Sequence, residues 1–317
     1  MAIVKLAPRL CLQKIILSKL WLKRCYCSKA AKPASKQPAE SHQKPSDHRT
    51  FKVYRFAGIQ SGQKPTVQTF EFDISKIGGM VLDALIKIKE MDPSVTFRRS
   101  CREGICGSCG INLQGSNCLA CITAIPKDKV ITILPLPHMY VQKDLVVDMT
   151  HFFEQYKSVR PYLVRSNPLP LGSSQYAQSI KDNTKLIGMY ECILCACCST
   201  SCPSYWWNGR RFLGPASLLH TYRWVIDSRD GDTERRLYDV RDDFKAFRCH
   251  TIMVCMLVCP KGLSPALQIS RLKRLISKVE KKPAPDMDPM AFAGKGLSSS
   301  AGGGPSAGGS GCVTKCK

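Results

Sequence analysis

Two cysteine runs in the second half of the chain limit what it can fold into more than any other feature. The first is Cys192-x2-Cys195-x2-Cys198-x3-Cys202-Pro203, and the second is Cys249-x5-Cys255-x3-Cys259-Pro260. The first has the bacterial iron–sulfur spacing, in which three thiols share one cluster and the fourth, before a proline, serves another. That spacing needs a partner run. The second run has the same frame with one thiol missing, because Ile252 stands at its middle position. Cys192, Cys195 and Cys198 with Cys259 then make four thiolates, which suits [4Fe–4S]. Cys202 with Cys249 and Cys255 makes three, which suits [3Fe–4S]. Cys197 is off the frame and reads as structural.

A third group lies upstream, Cys101-x4-Cys106-x2-Cys109-x11-Cys121. This is the plant-type spacing for [2Fe–2S]. Gly104, Gly107 and Gly110 suit a loop whose backbone must approach the sulfurs. A structural zinc site favours paired arms, so x4-x2 in one tight loop argues against it. Cys118 is extra and reads as a spectator thiol. Three clusters with no flavin or dinucleotide fingerprint describe a wire for single electrons. Iron–sulfur potentials span about −700 to +450 mV, so a graded series is chemically accessible. Two-electron chemistry then belongs to another subunit.

Charge adds a second constraint. The net charge is +23, and residues 1–39 carry no acidic residue before Glu40. Ile15, Ile16, Leu20 and Leu22 alternate there with Lys14, Lys19 and Lys23, which reads as a mitochondrial transit peptide over residues 1–26. A mitochondrial matrix is reducing, which favours metal binding over disulfides for 18 cysteines. No stretch of 18 apolar residues exists to span a membrane. Lys and Arg are dispersed with no nucleic-acid module, so no nucleic-acid partner is expected.

The pattern along the chain is α+β. Residues 27–49 read as a Pro- and Lys-rich linker. Strands are expected at Phe51–Tyr54 and Val67–Phe72, joined as a hairpin across Lys64-Pro65. A helix follows with Val81, Leu82, Leu85 and Ile88 on one face, ended by Pro93. A Cys/Gly-rich loop at 101–121 and a strand near Val130–Leu134 complete a first domain, 50–150, which ends in a Pro-rich connection at 135–150. Residues 151–282 read as helical. One helix opens at Gly214-Pro215, and another has Ser264 as N-cap with a stripe running to Val279. Residues 283–317 read as a disordered Gly/Ser tail holding Cys312 and Cys316.

Three segments carry a family resemblance: Ser100–Cys109 (SCREGICGSC), Cys192–Trp207 (CILCACCSTSCPSYWW) and Arg248–Met253 (RCHTIM). They resemble the iron–sulfur subunit of mitochondrial succinate dehydrogenase, over about residues 50–282. The resemblance implies an N-terminal plant-type ferredoxin (β-grasp) domain and a C-terminal all-α, bacterial-ferredoxin-like domain. It implies a heterotetramer on the matrix side of the mitochondrial inner membrane. There a flavoprotein subunit oxidises succinate, this chain relays electrons, and two membrane anchor subunits complete a ubiquinone site. Positions matching the family's quinone pocket are Pro203, Ser204, Trp207, His250 and Ile252. Their chemistry suits that role: an indole N–H on an apolar body, a hydroxyl, and an imidazole that titrates near neutral pH. His138, His151 and His220 have no such context and read as structural. Val53-Tyr54-Arg55 and Ala246-Phe247-Arg248 match, the second imperfectly, the tripeptides through which iron–sulfur assembly factors recognise the family.

The chain departs from the family at Val254, Met256, Leu257 and Val258, where polar and basic residues are usual. That motivates a competing reading: a divergent, non-conducting paralogue that folds and binds partners without completing electron transfer.

Overall fold

Alternating burial along the first strand decides which face of the sheet becomes interior. The computed structural model describes residues 46–293. The expectations for the transit peptide, for most of the linker and for the Cys312/Cys316 segment lie outside those residues. β1 (His48–Arg55) buries Phe51 and Val53, and β2 (Thr66–Asp73) pairs with it antiparallel and buries Phe70 and Phe72. The rings of Phe51 and Phe72 stack at 4.8 Å. α1 (Val81–Met91) then buries Val81, Leu82, Ala84, Leu85 and Ile88, the face set by its 3.6-residue period. Asp83 accepts from the Met80 N–H at its start, and Pro93 follows directly after the residue that caps its end.

Two strands, β3 (Gly110–Leu113) and β4 (Ser116–Leu119), lie inside the segment read as a loop. Their four-residue length and buried cysteine neighbours hide the alternation on which the sequence reading relied. β5 (Val130–Leu134) enters parallel to β1 and antiparallel to β3, giving a mixed sheet in the order β2-β1-β5-β3-β4. A small hairpin, β6 (Val141–Lys143) with β7 (Val146–Val147), occupies the expected Pro-rich connection. Arg55 ties the sheet's edge together by pairing with Asp92 at 2.8 Å and with the buried Asp144 at 3.0 Å.

The second half is helical: α2 (Thr150–Ser158), α3 (Ile180–Thr184), α4 (Cys197–Thr200), α5 (Pro203–Asn208), α6 (Gly214–Ile226), α7 (Thr233–Val240), α8 (Val254–Leu257) and α9 (Pro265–Ile276). α6 and α9 carry its core, through Leu218, Leu219, Tyr222 and Val225 with Ile269, Leu272 and Leu275. α9 stops at Ile276, so Val279 is exposed rather than part of the apolar stripe. Ser264 holds the N-cap position without a side-chain cap bond, and Pro265 alone sets that start. Residues 283–293, expected to be disordered, are tied down. Asp286 donates its amide to Asp182, and Ala177 donates to the Pro289 carbonyl.

The helical half rests on one buried cation. Arg236 is 2% exposed, and all five of its N–H groups are used. It grips both carboxylate oxygens of Asp230 at 3.1 and 2.8 Å. It also donates to the carbonyls of Val159, Arg160 and Tyr162. Arg236→Met leaves a buried carboxylate and three carbonyls without that partner. It should cost about 3–5 kcal/mol, read as a lowered unfolding temperature.

Buried His220 predicts a pH effect. It lies on α6 with Nε2 unpartnered, and burial lowers its pKa from 6.5 to about 4, with help from Arg223. The folded state therefore holds the neutral imidazole. Stability is fully present above pH 6.5 and falls as pH drops toward 4, by about 3 kcal/mol at most. His220→Gln should flatten that slope in unfolding curves taken between pH 7 and 4.

Candidate metal centres

The loop from Cys101 to Cys109 closes around its first sulfur. Arg102, Gly104 and Gly107 take left-handed φ values of 62°, 73° and 71°, which curl the chain so that amides point inward. Cys101 Sγ accepts from the N–H groups of Cys106, Glu103 and Ile105 at 3.3–3.5 Å. Those donors favour the thiolate and lower the Cys101 pKa from 9.0 to about 6. Cys109 and Cys121 sit together on the buried side, where burial pushes the Cys109 thiol up to about 12.

The two later runs are copies of one backbone turn. Leu194 and Ala196 take φ of 55° and 64°; their counterparts Thr251 and Met253 take 58° and 68°. Each run then enters a four-residue helix, α4 and α8. Cys192 thus corresponds to Cys249, Cys198 to Cys255, and Cys202-Pro203 to Cys259-Pro260. On this register Ile252 stands where Cys195 stands, and it is half exposed at 49%. Left-handed φ at a β-branched Thr and at Leu is strained backbone, the kind that persists where a site requires it.

The runs cross over. Cys192, Cys195, Cys198 and Cys259 line one small cavity with Ala216, Leu219 and Leu263. Cys202, Cys249 and Cys255 line another, with Pro215 and Ala266. Burial first, then neighbouring thiols, raise the Cys198 and Cys255 pKa values; Cys255 reaches about 12 and Cys198 goes well above 9.0. Such thiols cannot all ionise in a dry cavity unless a cationic group sits among them, so the donor sets fit iron–sulfur clusters. Among the described residues no three Cys, His, Asp or Glu side chains are grouped to hold a single metal ion. The three sets lie in series. Gly107 packs on the Cys195 backbone, and Cys198 lies within electrostatic reach of Cys255.

The residues expected at a quinone divide between two cavities. Pro203, Ser204, His250 and Ile252 line the cavity of Cys202, Cys249 and Cys255. Trp207 does not; it is 74% exposed and borders a larger cavity of about 850 Å³. That cavity also holds His138 and His151, which lacked any sequence context. His138 stacks on Trp206 at 4.4 Å and meets Trp207 edge-on at 5.8 Å. Trp206 is fixed by its indole donating to the Thr200 carbonyl at 2.6 Å. Aromatic stacking across a long chain separation leaves no local signal, which is why His138 escaped the sequence reading. In the apolar stretch, Met256 and Val258 pack on the core, whereas Leu257 is exposed.

Cys197 is buried, and its thiol donates to the Cys118 carbonyl at 3.8 Å. Cys118 sits on β4 with its thiol raised by burial. Cys197→Ser keeps that donor, so iron and acid-labile sulfide per chain should match the unsubstituted protein. A loss of four irons would make Cys197 a ligand.

Comparison with known families agrees with this layout. Residues 50–154 match a family described as a 2Fe-2S iron-sulfur cluster binding domain. Residues 191–264 match one described as a 4Fe-4S dicluster domain. The chain therefore carries both kinds of iron–sulfur domain, on an α+β fold. Among solved structures it is similar to a chain of the Mycobacterium smegmatis Sdh1 complex in the apo form. The TM-score there is 0.64 with 21% identity, covering 75% of this chain and 99% of that one. A hypothetical protein from Helicobacter pylori matches with a TM-score of 0.47 and 15% identity, over 74% of this chain and 41% of its own.

Proposed function

We propose that this iron–sulfur protein, which is like the iron–sulfur subunit of succinate dehydrogenase, relays electrons from a flavoprotein subunit to ubiquinone. Iron–sulfur clusters supply one-electron carriers when bound. What the chain contributes is their order. Cys101, Cys106, Cys109 and Cys121 would hold [2Fe–2S]. Cys192, Cys195, Cys198 and Cys259 would hold [4Fe–4S], and Cys202, Cys249 and Cys255 would hold [3Fe–4S]. The repeated turn with Ile252 in place of a fourth thiol is the observation that supports the third assignment.

The remaining residues do the work around those groups. Backbone amides aimed at Cys101 favour its ionised form. Leu219, Ala216 and Leu263 give the middle set its apolar lining. Ser204, His250 and Ile252 border the last set, where a quinone would accept electrons, with membrane anchor subunits closing the site. The acid-free basic start supports import into mitochondria and a place on the matrix face of the inner membrane. The similarity to an Sdh1 complex supports flavoprotein and anchor partners.

Low-temperature EPR of the complex isolated from mitochondria tests this reading. An oxidised [3Fe–4S] signal, with [2Fe–2S] and [4Fe–4S] signals on reduction, is expected alongside succinate-dependent ubiquinone reduction. Ile252→Cys should convert the [3Fe–4S] signal to a [4Fe–4S] one and slow quinone reduction. An unchanged cluster type in that variant would refute the register.

A further inference from the structure

The first cysteine loop and the Cys192–Cys198 run meet backbone against backbone at two glycines, Gly107 and Gly110, and the approach is tightest at Gly107. A Cβ built on Gly107 would lie 2.9 Å from the Ile193 carbonyl oxygen, 3.1 Å from Cys195 Cβ and 3.2 Å from Cys195 Cα. Two of those three atoms are main chain, so neither can swing aside as a side chain would. Gly107 directly follows Cys106, and the atoms it faces belong to Cys195 and its near neighbour. Positions beside a ligand of each set thus touch across the joint between the sheet and the helices.

A second, independent feature holds that joint. Asn117 on β4 is 4% exposed. Its Nδ2 donates to the Cys197 carbonyl at 3.0 Å and to Thr200 Oγ1 at 2.9 Å. Its Oδ1 accepts from Asn112 Nδ2 at 2.8 Å. One buried amide therefore pins the run just beyond Cys195 to the sheet that carries the first loop, with each of its polar atoms satisfied.

We propose that Gly107 and Asn117 are positioning residues that set the approach of the [2Fe–2S] loop to the [4Fe–4S] run, and so the rate at which an electron crosses between them. This rests on the relay reading above. Gly107 permits the close approach; Asn117 prevents it from opening. Gly62, outside the cysteine loop, is an internal control. Its φ of 65° is close to the 71° of Gly107, so alanine carries a comparable backbone strain at both. A Cβ at Gly62 would meet nothing within 4 Å.

The test uses the full chain loaded with its clusters in cells and purified anaerobically, as Gly107→Ala, Asn117→Ala, Gly62→Ala and the unsubstituted protein. Each is scored for iron, acid-labile sulfide, EPR signals and cluster potentials. An electron is then delivered from a photoreduced flavin, and its passage from [2Fe–2S] to [4Fe–4S] is followed by freeze-quench EPR.

Gly107→Ala should keep its clusters and their potentials but slow that passage measurably, because its Cβ must push the two backbones apart by a few tenths of an ångström. Asn117→Ala should slow it less, in the same direction. Gly62→Ala should transfer at the unsubstituted rate. Unchanged rates in both joint variants would overturn the proposal, as would equal slowing in Gly62→Ala. Loss of clusters from the joint variants with retention in Gly62→Ala would show that the joint serves assembly instead, and loss from all three would assign the effect to backbone strain. Either overturns the proposal. Missing [2Fe–2S] or [4Fe–4S] signals in the unsubstituted chain would instead sink the relay reading itself.

Discussion

Buried thiols resist ionising and repel one another once ionised, and that constraint bears hardest on Cys198 and Cys255 in the two later cysteine sets. Leu219 and Leu263 wall the middle set, and Ala266 closes the last one. The pKa values of Cys198 and Cys255 are raised chiefly by burial. Thiols so placed ionise readily only beside a cationic group, which is what an iron–sulfur cluster would supply. The exposed edge of the first loop differs. There three amides, not burial, govern Cys101, which lowers its pKa instead of raising it.

Holding cysteines so close has a backbone consequence. Short cysteine spacings place several side chains around one centre only if the chain turns left-handed between them. That accounts for the paired φ values at Leu194 and Thr251 and at Ala196 and Met253. The strain is held in place by packing. Cys198, Cys255, Ala216 and Ala266 belong to the same buried cluster as Phe51, Ile131 and Leu85 of the sheet domain. The two iron–sulfur domains are therefore not beads on a string; their cores run together where the cysteine sets approach each other.

Much of this was legible in the residues. The amphipathic stripes of α1, α6 and α9, and the strands β1, β2 and β5, announce themselves through period. The cysteine pairing between distant runs was also readable, because proline after the last cysteine marks the crossover. The rest was hidden for identifiable reasons. β3 and β4 are too short to show alternation. Arg236 looks like any helical arginine until Asp230 and three carbonyls are seen around it. His138 sits nearly seventy positions from Trp206, on which it stacks. Trp207, grouped by resemblance with His250, lines a different cavity, since α5 turns its indole outward.

By itself the sequence determined which thiols exist, how they are spaced, and that Ile252 stands where the first run has Cys195. Spacing along a chain governs local turns, and ligand count is a property of composition and register. Only the tertiary structure decided order and approach. That the first loop touches the run at Cys195, that Gly107 and Gly110 meet it there, and that Asn117 holds it depend on contacts between segments far apart in the chain. Such contacts are set by how two cores pack, and packing leaves no periodic trace in the residues that make it.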